Sequence, residues 1–302
     1  MIKWLSFLLV GSKLPSAKTH IENLSFFRRI VRPGGPARGL SFFSGGFMPA
    51  VIFILLCILS LRVPSPAVAL EPVITGGDGG IMVLIPAGEF IMGLPANEPG
   101  SDRNPLRRVH LGAFYIDKYE VTNVLYQKCV HEGTCKDPSL ITDYAKTVHE
   151  EGKKWYRDAK KENYPVVGIT WRQAGIYCDW AGKRLPTTPE WEKAARGTDG
   201  RTYPWGNDWD GRRANWDEGG KIDGFDKLAP IGSFPQGASP YGVMDMAGNI
   251  REWVDSAVLK GGSWYSNPAS LRVGDPGHDY IVERDDDMGF RCAMDAEKAL
   301  RQ

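Results

Sequence analysis

Two carboxylates flank a Gly-Asn turn in the stretch YGVMDMAGNIREWV, residues 241–254. Asp245 and Glu252 lie on either side of Gly248 and Asn249, and Trp253 follows directly. Oxygen-bearing side chains on a flexible loop are the ligands that a hard cation prefers. The same residues also occur as ordinary charges that satisfy turn amides. The rest of the sequence has to distinguish a cation site from a polar turn.

Charge is unevenly distributed along the 302 residues, although the formal net charge is only +1. Residues 1–69 contain eight Lys/Arg and one acidic residue, so residues 70–302 contain 29 basic and 35 acidic residues and carry a formal charge of −6. Nucleic-acid binding needs a basic surface, and this balance argues against it. An acidic domain is compatible with a cation site.

Residues 1–69 are predicted to be a basic extension followed by a signal peptide or membrane anchor. The apolar stretch FMPAVIFILLCILSL (47–61) is short for a bilayer span, which needs about 20 residues. Ala67-Val68-Ala69 supplies the small-x-small pattern of a cleavage site. An uncleaved, tilted anchor and a start at Met48 remain alternatives. Either way, the sequence predicts an exported protein located in the periplasm or anchored facing it.

Cysteine usage is consistent with export. Cys57 lies in the apolar stretch, which leaves an even number of four in the exported part. Disulfides are typical of oxidising compartments. Cys129 and Cys135 bracket the short loop VHEGT, so a local bridge is easy there, and Cys178 and Cys292 remain as a second pair. Buried, reduced cysteines are the alternative, and a zinc site is not indicated because there is no CxxC.

The exported part is predicted to be one domain, residues 81–298, after a Gly-rich linker at 70–80. A half-buried strand is predicted within 107–117, where apolar residues alternate. Short strands are predicted in APIGSF (229–234) and LKGGSW (259–264). With 35 Gly and 21 Pro the backbone is irregular, so disulfides and ions are expected as additional fasteners. Helices are predicted after three caps, at Thr122, at Thr170 with Gln173 in a capping box, and at Thr188.

Eight motifs resemble the formylglycine-generating enzyme (sulfatase-modifying factor) family and occur in the family's order. They are IPAGEFIMG, DKYEVTNVLYQKC, YPVVGITWRQAGIYCDWAGKRLPTTPEWEKAARG, YPWGN, ANW, GVMDMAGNIREWV, LKGGSW and GFRCA. The resemblance implies a single α+β domain with little regular secondary structure, distantly similar to C-type lectin-like folds. It also implies a Cys178–Cys292 disulfide.

The resemblance further implies two calcium ions held by loops after the third helix. The first ion would bind the Asn215 side chain, the Trp216 carbonyl, the Asp223 carboxylate and the Phe225 carbonyl. The second would bind the carboxylates of Asp245 and Glu252 and the carbonyls of Gly248 and Ile250. Calcium suits such loops because it takes six to eight oxygen ligands in flexible geometry.

The sequence departs from the family at the catalytic cysteines. Family oxidases bind copper(I) through two cysteines five residues apart, soon after a GGS motif, and thiolate is the ligand that copper(I) selects. In GGSWYSNPASLRV the serine is kept as Ser263, but the cysteine positions hold Ser266 and Leu271. Copper is therefore not expected, and the catalytic residues stay unassigned.

Three functions remain open, because a fold does not fix a function. The first is a binding or regulatory module that holds a peptide, protein or glycan in the family's groove. The second is a periplasmic enzyme that modifies a secreted peptide or siderophore, and the third is a formylglycine-generating oxidase with unusual ligands. A serine-histidine site built from Ser266 and His278 is not supported, and RDDD (284–287) is predicted to be a solvated charge run.

Overall fold

The computed structural model describes residues 70–138, 150–217, 222–279 and 285–301. The chain divides into two compact units, residues 1–64 and 65–302, and all described residues belong to the second unit. The predicted signal peptide or anchor and Cys57 lie outside the described residues. Within those residues, no helix combines the length and the apolar composition that a membrane crossing requires.

Short strands in three sheets form the framework of the described part. The first sheet has the order β1-β2-β5-β10 and is antiparallel, and β3 pairs with β4 in a separate antiparallel ribbon. The third sheet has the order β8-β7-β6-β9, with β6 and β9 parallel. The strands are β1 (Val73–Thr75), β2 (Ile81–Ile85), β3 (Gly88–Met92), β4 (Arg107–Leu111), β5 (Phe114–Asp117), β6 (Arg251–Trp253), β7 (Val258–Lys260), β8 (His278–Asp279), β9 (Met288–Gly289) and β10 (Ala293–Asp295).

Helices begin at polar caps, as the sequence predicts. Thr122 accepts a hydrogen bond from the Leu125 amide, and Thr170 forms the predicted capping box with Gln173. The third predicted cap is wrong by one residue, because Thr187 rather than Thr188 forms a capping box with Glu190. The helices are α1 (Asn123–His131), α2 (Glu150–Arg157), α3 (Trp171–Trp180), α4 (Thr188–Arg196) and α5 (Ala296–Ala299), with 3₁₀ turns at Ala159–Lys161, Pro235–Gly237 and Pro268–Leu271.

The apolar alternation within 107–117 belongs to two strands of different sheets. The chain leaves β4 at Leu111 and enters β5 at Phe114. All four residues of β5 are buried, which corrects the prediction of a half-buried strand. The reason is that β5 lies inside the first sheet between β2 and β10, with apolar side chains packed on both of its faces.

The Gly-rich segment 70–80, predicted to be a linker, contains β1 and is fastened to the domain by Asp78. Lys183 Nζ lies 2.7 Å from Asp78 Oδ1 and 2.8 Å from Asp117 Oδ1, with all three side chains buried. The Tyr177 hydroxyl donates to Asp78 Oδ2 at 2.8 Å. A side chain on Gly76 would collide with Lys183, so the glycine allows this close approach. We call this group of three charged side chains the Lys183 clamp.

Both predicted disulfides are present. Cys129 and Cys135 are linked across six residues, and Cys178 and Cys292 across 114. All four cysteines belong to one apolar cluster between α1, α3 and the third sheet. A second cluster packs the first sheet against α4 through Phe114, Ile116 and Trp191. Of the two predicted late strands, LKGGSW contains the end of β7, whereas APIGSF forms no strand.

Candidate functional site

Backbone hydrogen bonds join three loops that contain the predicted site residues. We name them the first loop (214–217), the second loop (245–252) and the third loop (261–266). Asp245 and Asn249 have positive φ values of 57° and 61°, which non-glycine residues rarely adopt. The connecting bonds are Asn249 N to Asn215 O at 2.9 Å, Gly248 N to Gly261 O at 2.9 Å, Trp264 N to Asn249 O at 3.0 Å and Asp217 N to Ser266 O at 3.1 Å.

The first predicted calcium set comes together in the structure. Asp223 accepts from the backbone amides of Trp216 at 3.0 Å and Phe225 at 2.8 Å, which brings these three residues together. Asn215 is 1% exposed, and its amide nitrogen donates to Lys227 O and to Asn249 Oδ1. Its oxygen Oδ1 is buried and has no hydrogen-bond partner. Because a buried acceptor without a partner is costly, this oxygen fits a cation ligand.

The second predicted calcium set fits a cation less well. Glu252 is fully buried, and its carboxylate accepts from Trp191 Nε1 at 2.8 Å and from Arg291 Nε and Nη2, each at 2.7 Å. The guanidinium therefore balances the Glu252 charge directly. Asp245 is separately held, because its Oδ2 accepts from the Gly232 amide at 2.6 Å. Within the described ranges, no three His, Cys, Asp or Glu side chains are arranged to hold a metal ion by themselves.

A third buried carboxylate, Glu120, lies beside the second loop and was not identified from the sequence. Both of its oxygens accept from Asn249 Nδ2, at 3.1 and 3.0 Å. Burial, and then the negative charges of Asp245 and Glu252, raise the pKa of Glu120 well above its usual range. Burial likewise raises the pKa of Asp245 to about 6. We call Glu120, Asp245, Glu252 and Arg291 the Glu120 cluster.

The three positions aligned with the family's catalytic segment lie at the third loop: Ser263 and Ser266 contact each other, and Leu271 packs against Gly262. Ser266 Oγ accepts from the Ser263 amide at 3.0 Å and lies 3.4 Å from Ser263 Oγ. Leu271 is fully buried and packs in an apolar cluster with Tyr203, Ala214 and Ala247. Position 271 therefore contributes to the core below the loop.

The acidic run 284–287 is not the solvated charge run that was predicted. Asp286 and Asp287 are buried, while Arg284 lies outside the described residues. Arg251 Nε and Nη2 hold the two oxygens of Asp287 at 2.9 and 2.6 Å, and Ser263 Oγ donates to Asp287 Oδ2 at 2.6 Å. Arg251 neutralises the carboxylate, so this chain of bonds positions the two serine hydroxyls rather than removing a proton from them.

Aromatic side chains surround the third loop. Tyr265 is 70% exposed, and its ring meets that of Trp264 edge to face with centroids 5.6 Å apart. Half-buried Trp205, Trp209 and Trp216 pack against the cluster that contains Leu271. Exposed and half-buried rings beside a polar loop provide an amphipathic surface for a ligand.

The family follows from comparison with known proteins. A model of the sulfatase-modifying factor enzyme 1-like domain matches residues 74–296. The chain belongs to this family. Among curated proteins, it is 31% identical to the inactive C-alpha-formylglycine-generating enzyme 2 of Mus musculus, over 71% of this chain and 86% of that protein. It is 29% identical to the formylglycine-generating enzyme of Streptomyces coelicolor, over 79% of this chain and 98% of that protein.

Solved structures agree with the family assignment. PvdO from Pseudomonas aeruginosa superimposes with a TM-score of 0.61 at 26% identity, over 75% of this chain and all of that chain. The variable protein 1 of Treponema denticola matches with a TM-score of 0.53 at 21% identity, over 72% and 95% of the two chains, which shows the fold alone. The sequence-based expectation of one α+β domain of the formylglycine-generating type, distantly C-type-lectin-like, is confirmed.

Proposed function

We propose that this sulfatase-modifying-factor-like domain is a non-oxidising binding or regulatory module. One observation carries the proposal: the positions of the two copper ligands hold Ser266 and a fully buried Leu271. A hydroxyl is a poor ligand for copper(I), and a hydrocarbon is none. The four cysteines among the described residues are all in disulfides, so none of them supplies a thiolate.

The proposed ligand is a peptide or glycan held at the third loop. Tyr265 presents most of its ring to solvent, and the ring of Trp264 supports it. Ser266 and its neighbours add hydroxyl and backbone groups next to these rings. Aromatic faces combined with a few fixed polar groups are the usual composition of a ligand site.

We also propose that calcium supports these loops. The unpartnered Asn215 oxygen favours an ion at the first loop. At the second loop, an ion beside Asp245 and Glu120 would balance two carboxylates whose pKa values are raised chiefly by burial and further by neighbouring negative charge. Asn215, Trp216, Asp223 and Phe225 would hold the first ion. Asp245 with the carbonyls of Gly248 and Ile250 would hold the second, and Glu120 rather than the Arg291-bound Glu252 would complete it.

An exported, periplasmic location is part of the proposal. The two disulfides support it, because such bonds persist in oxidising compartments and are rare in the cytosol. The N-terminal segment would be the only part in contact with a membrane, if it is not cleaved.

The copper part of the proposal is tested by incubating the natural protein with copper, reductant and a Cys-x-Pro-x-Arg peptide. We expect no tight copper(I) binding and no mass loss corresponding to thiol-to-aldehyde conversion. The double variant Ser266→Cys with Leu271→Cys is the matched control, and we expect it to bind copper(I). Robust turnover by the natural protein would overturn the proposal.

The binding part is tested with arrays of peptides and glycans probed with the natural protein and with Tyr265→Ala. We expect selective binding that Tyr265→Ala weakens about tenfold, as for a central aromatic contact. Leu106→Ala, at an apolar side chain that is 51% exposed on another segment, is the control and should bind normally. Equal binding by both variants would place the ligand elsewhere.

A further inference from the structure

A second concave site lies along helix α3 and shares no lining residue with the three loops. It has a volume of about 260 Å³ and is formed by one face of α3, the chain 183–187 and Asp255. Trp171, Gly175 and Asp179 of α3 line it at intervals of four residues, which places them on the same helix face. We call it the α3 cleft.

Nothing in the packing or backbone conformation of α3 requires a glycine at position 175. Glycine destabilises a helix interior relative to alanine. Its backbone is helical rather than left-handed, and apart from its chain neighbours and the backbone of α3 itself, no atom lies within 4 Å of where a Cβ would be. Neither the fold's sterics nor its backbone conformation therefore requires glycine there. The missing side chain leaves the helix backbone open to whatever enters the cleft.

The surroundings of the cleft are negatively charged. Its two cations are each already held by two carboxylates, Lys183 by Asp78 and Asp117, and Arg184 by Glu190 and Asp295. The other two charged residues that line the cleft, Asp179 and Asp255, are exposed. Two carboxylates and two cations thus line the cleft, and four further carboxylates contact those cations. A cationic group is the complement of this arrangement.

An aromatic ring adds selectivity for one kind of cation. The Trp171 indole is half-buried, and its Nε1 donates to Val254 O at 2.9 Å, which fixes the ring. A guanidinium group stacks on such a ring and forms fork-shaped pairs with carboxylates, whereas an ammonium group acts as a point charge. The cleft is smaller than the roughly 300–1,000 Å³ of a typical small-molecule site, so it suits a single long side chain.

We propose that the α3 cleft binds an arginine side chain of a partner polypeptide. The guanidinium lies against Trp171 and between Asp179 and Asp255, and the partner's backbone approaches α3 over Gly175. This interaction surface is independent of the ligand site at the third loop. Its loss would leave that site intact.

The test uses ¹⁵N-labelled protein titrated with acetyl-Gly-Gly-Arg-Gly-Gly-amide. We expect saturable shifts of the Trp171 indole and Gly175 amide signals at millimolar peptide, the range for one anchored side chain. The same peptide with citrulline, which is neutral and has the same shape, should bind about tenfold more weakly. Added salt should weaken the arginine peptide because the charges are exposed.

Three variants locate the interaction. Gly175→Leu fills the open space and should abolish binding without lowering the melting temperature, since leucine favours helix. Asp179→Asn and Asp255→Asn should each weaken binding about two- to fivefold. Glu89→Gln, at an exposed carboxylate on β3, should have no effect. Undisturbed Trp171 and Gly175 signals, equal binding of the citrulline peptide, or normal binding by Gly175→Leu would each overturn the proposal.

Discussion

The Lys183 clamp and the Glu120 cluster both bury carboxylates, but they differ in how that charge is balanced. In the clamp, one ammonium lies within 2.8 Å of both Asp78 and Asp117. It helps to lower the pKa of Asp78 despite burial, whereas burial raises the pKa of Asp117. In the cluster, Arg291 is bonded to Glu252 alone among the three carboxylates, and the pKa values of Glu120 and Asp245 are raised. The clamp therefore contains the cation that its carboxylates need. The Glu120 cluster contains carboxylate charge that Arg291 does not balance and that a further cation would balance.

Removing the Cys178–Cys292 disulfide, which lies next to the clamp, should have the largest effect on stability. Cys178→Ala with Cys292→Ala should lower the free energy of unfolding by about 4–5 kcal/mol, because the chain-entropy model assigns that value to a loop of about a hundred residues. The Cys129–Cys135 disulfide closes a much shorter loop, so Cys129→Ala with Cys135→Ala should lower the free energy of unfolding by about 2 kcal/mol. Urea unfolding of both pairs measures the difference. Equal losses would mean that packing rather than loop closure dominates.

Removing the clamp's cation should have the second-largest effect on stability. Lys183→Met leaves two buried carboxylates without their cation and should cost about 3–5 kcal/mol in urea unfolding. Arg108→Met, at an ion pair whose side chains are 75% and 64% exposed, is the control and should change stability by less than about 1 kcal/mol. Adding Asp78→Asn and Asp117→Asn to Lys183→Met should recover part of the loss. A loss below about 1 kcal/mol for Lys183→Met would contradict the self-sufficient clamp.

The pH dependence of stability should distinguish Asp245 of the Glu120 cluster from Asp78 of the Lys183 clamp by sign. Asp117 of the clamp, whose pKa is raised by burial, should act in the same direction as Asp245. In chelator, folded Asp245 keeps its proton up to about pH 6, whereas an unfolded aspartate loses it near 3.9. Ionisation of Asp245 in the unfolded state should therefore reduce the free energy of unfolding by about 2 kcal/mol as pH rises from 4 to 6. The lowered pKa of Asp78 acts oppositely, because its contribution is present above the unfolded value and is lost as pH falls through the folded one.

Asp245→Asn isolates the loop contribution to that profile. Unfolding curves of this variant and the natural protein, measured across the same pH range, should differ in slope between pH 4 and 6 only. Parallel profiles would show that Asp245 titrates normally and that the Glu120 cluster is not strained by its charges.

Calcium should produce a smaller effect than loss of the long disulfide or of the clamp's cation. Binding to the native state alone stabilises it by about 2.7 kcal/mol at a hundredfold excess over Kd. Calcium should raise the unfolding free energy of the natural protein and of Lys183→Met equally, since the clamp does not use the ion. Asp223→Asn and Asp245→Asn should each lose part of the gain. Elemental analysis without calcium, or identical melting curves with and without chelator, would remove calcium from the proposal.

The sequence predicted local features that depend on one short segment. The capping box at Thr170 and the short Cys129–Cys135 bridge are examples. The sequence-based predictions failed where burial depends on long-range packing. An example is β5, which is buried between two strands that are distant from it in sequence. The capping error at Thr188 has a local cause, because two adjacent threonines both satisfy a loose cap pattern and only Thr187 has Glu three residues later.

The site could be predicted in part. The motifs singled out residues of the first loop, the second loop and Ser263 separately, and the structure places these loops in contact. Glu120, Arg291 and Asp287 were quoted within motifs or charge runs but received no chemistry, because their partners lie tens of residues or more away. The role of Asp78 was missed for the same reason. A single acidic residue in GGDGG is typical of a linker, and its partner Lys183 is distant in sequence.

Residues near the end of the described chain complete the first sheet, the long disulfide and the charge balance of Glu252, which affects the order in which the chain can fold. β10 is an outer strand of the first sheet, Cys292 supplies one half of the long disulfide, and Arg291 supplies the counter-ion of Glu252. A chain that emerges from its N-terminus cannot complete its sheet, its long disulfide or its charge balance until the C-terminus has followed. We therefore expect the domain to complete its folding only after these residues have emerged, and until then the nascent chain exposes apolar surface and the unpaired Cys178 thiol.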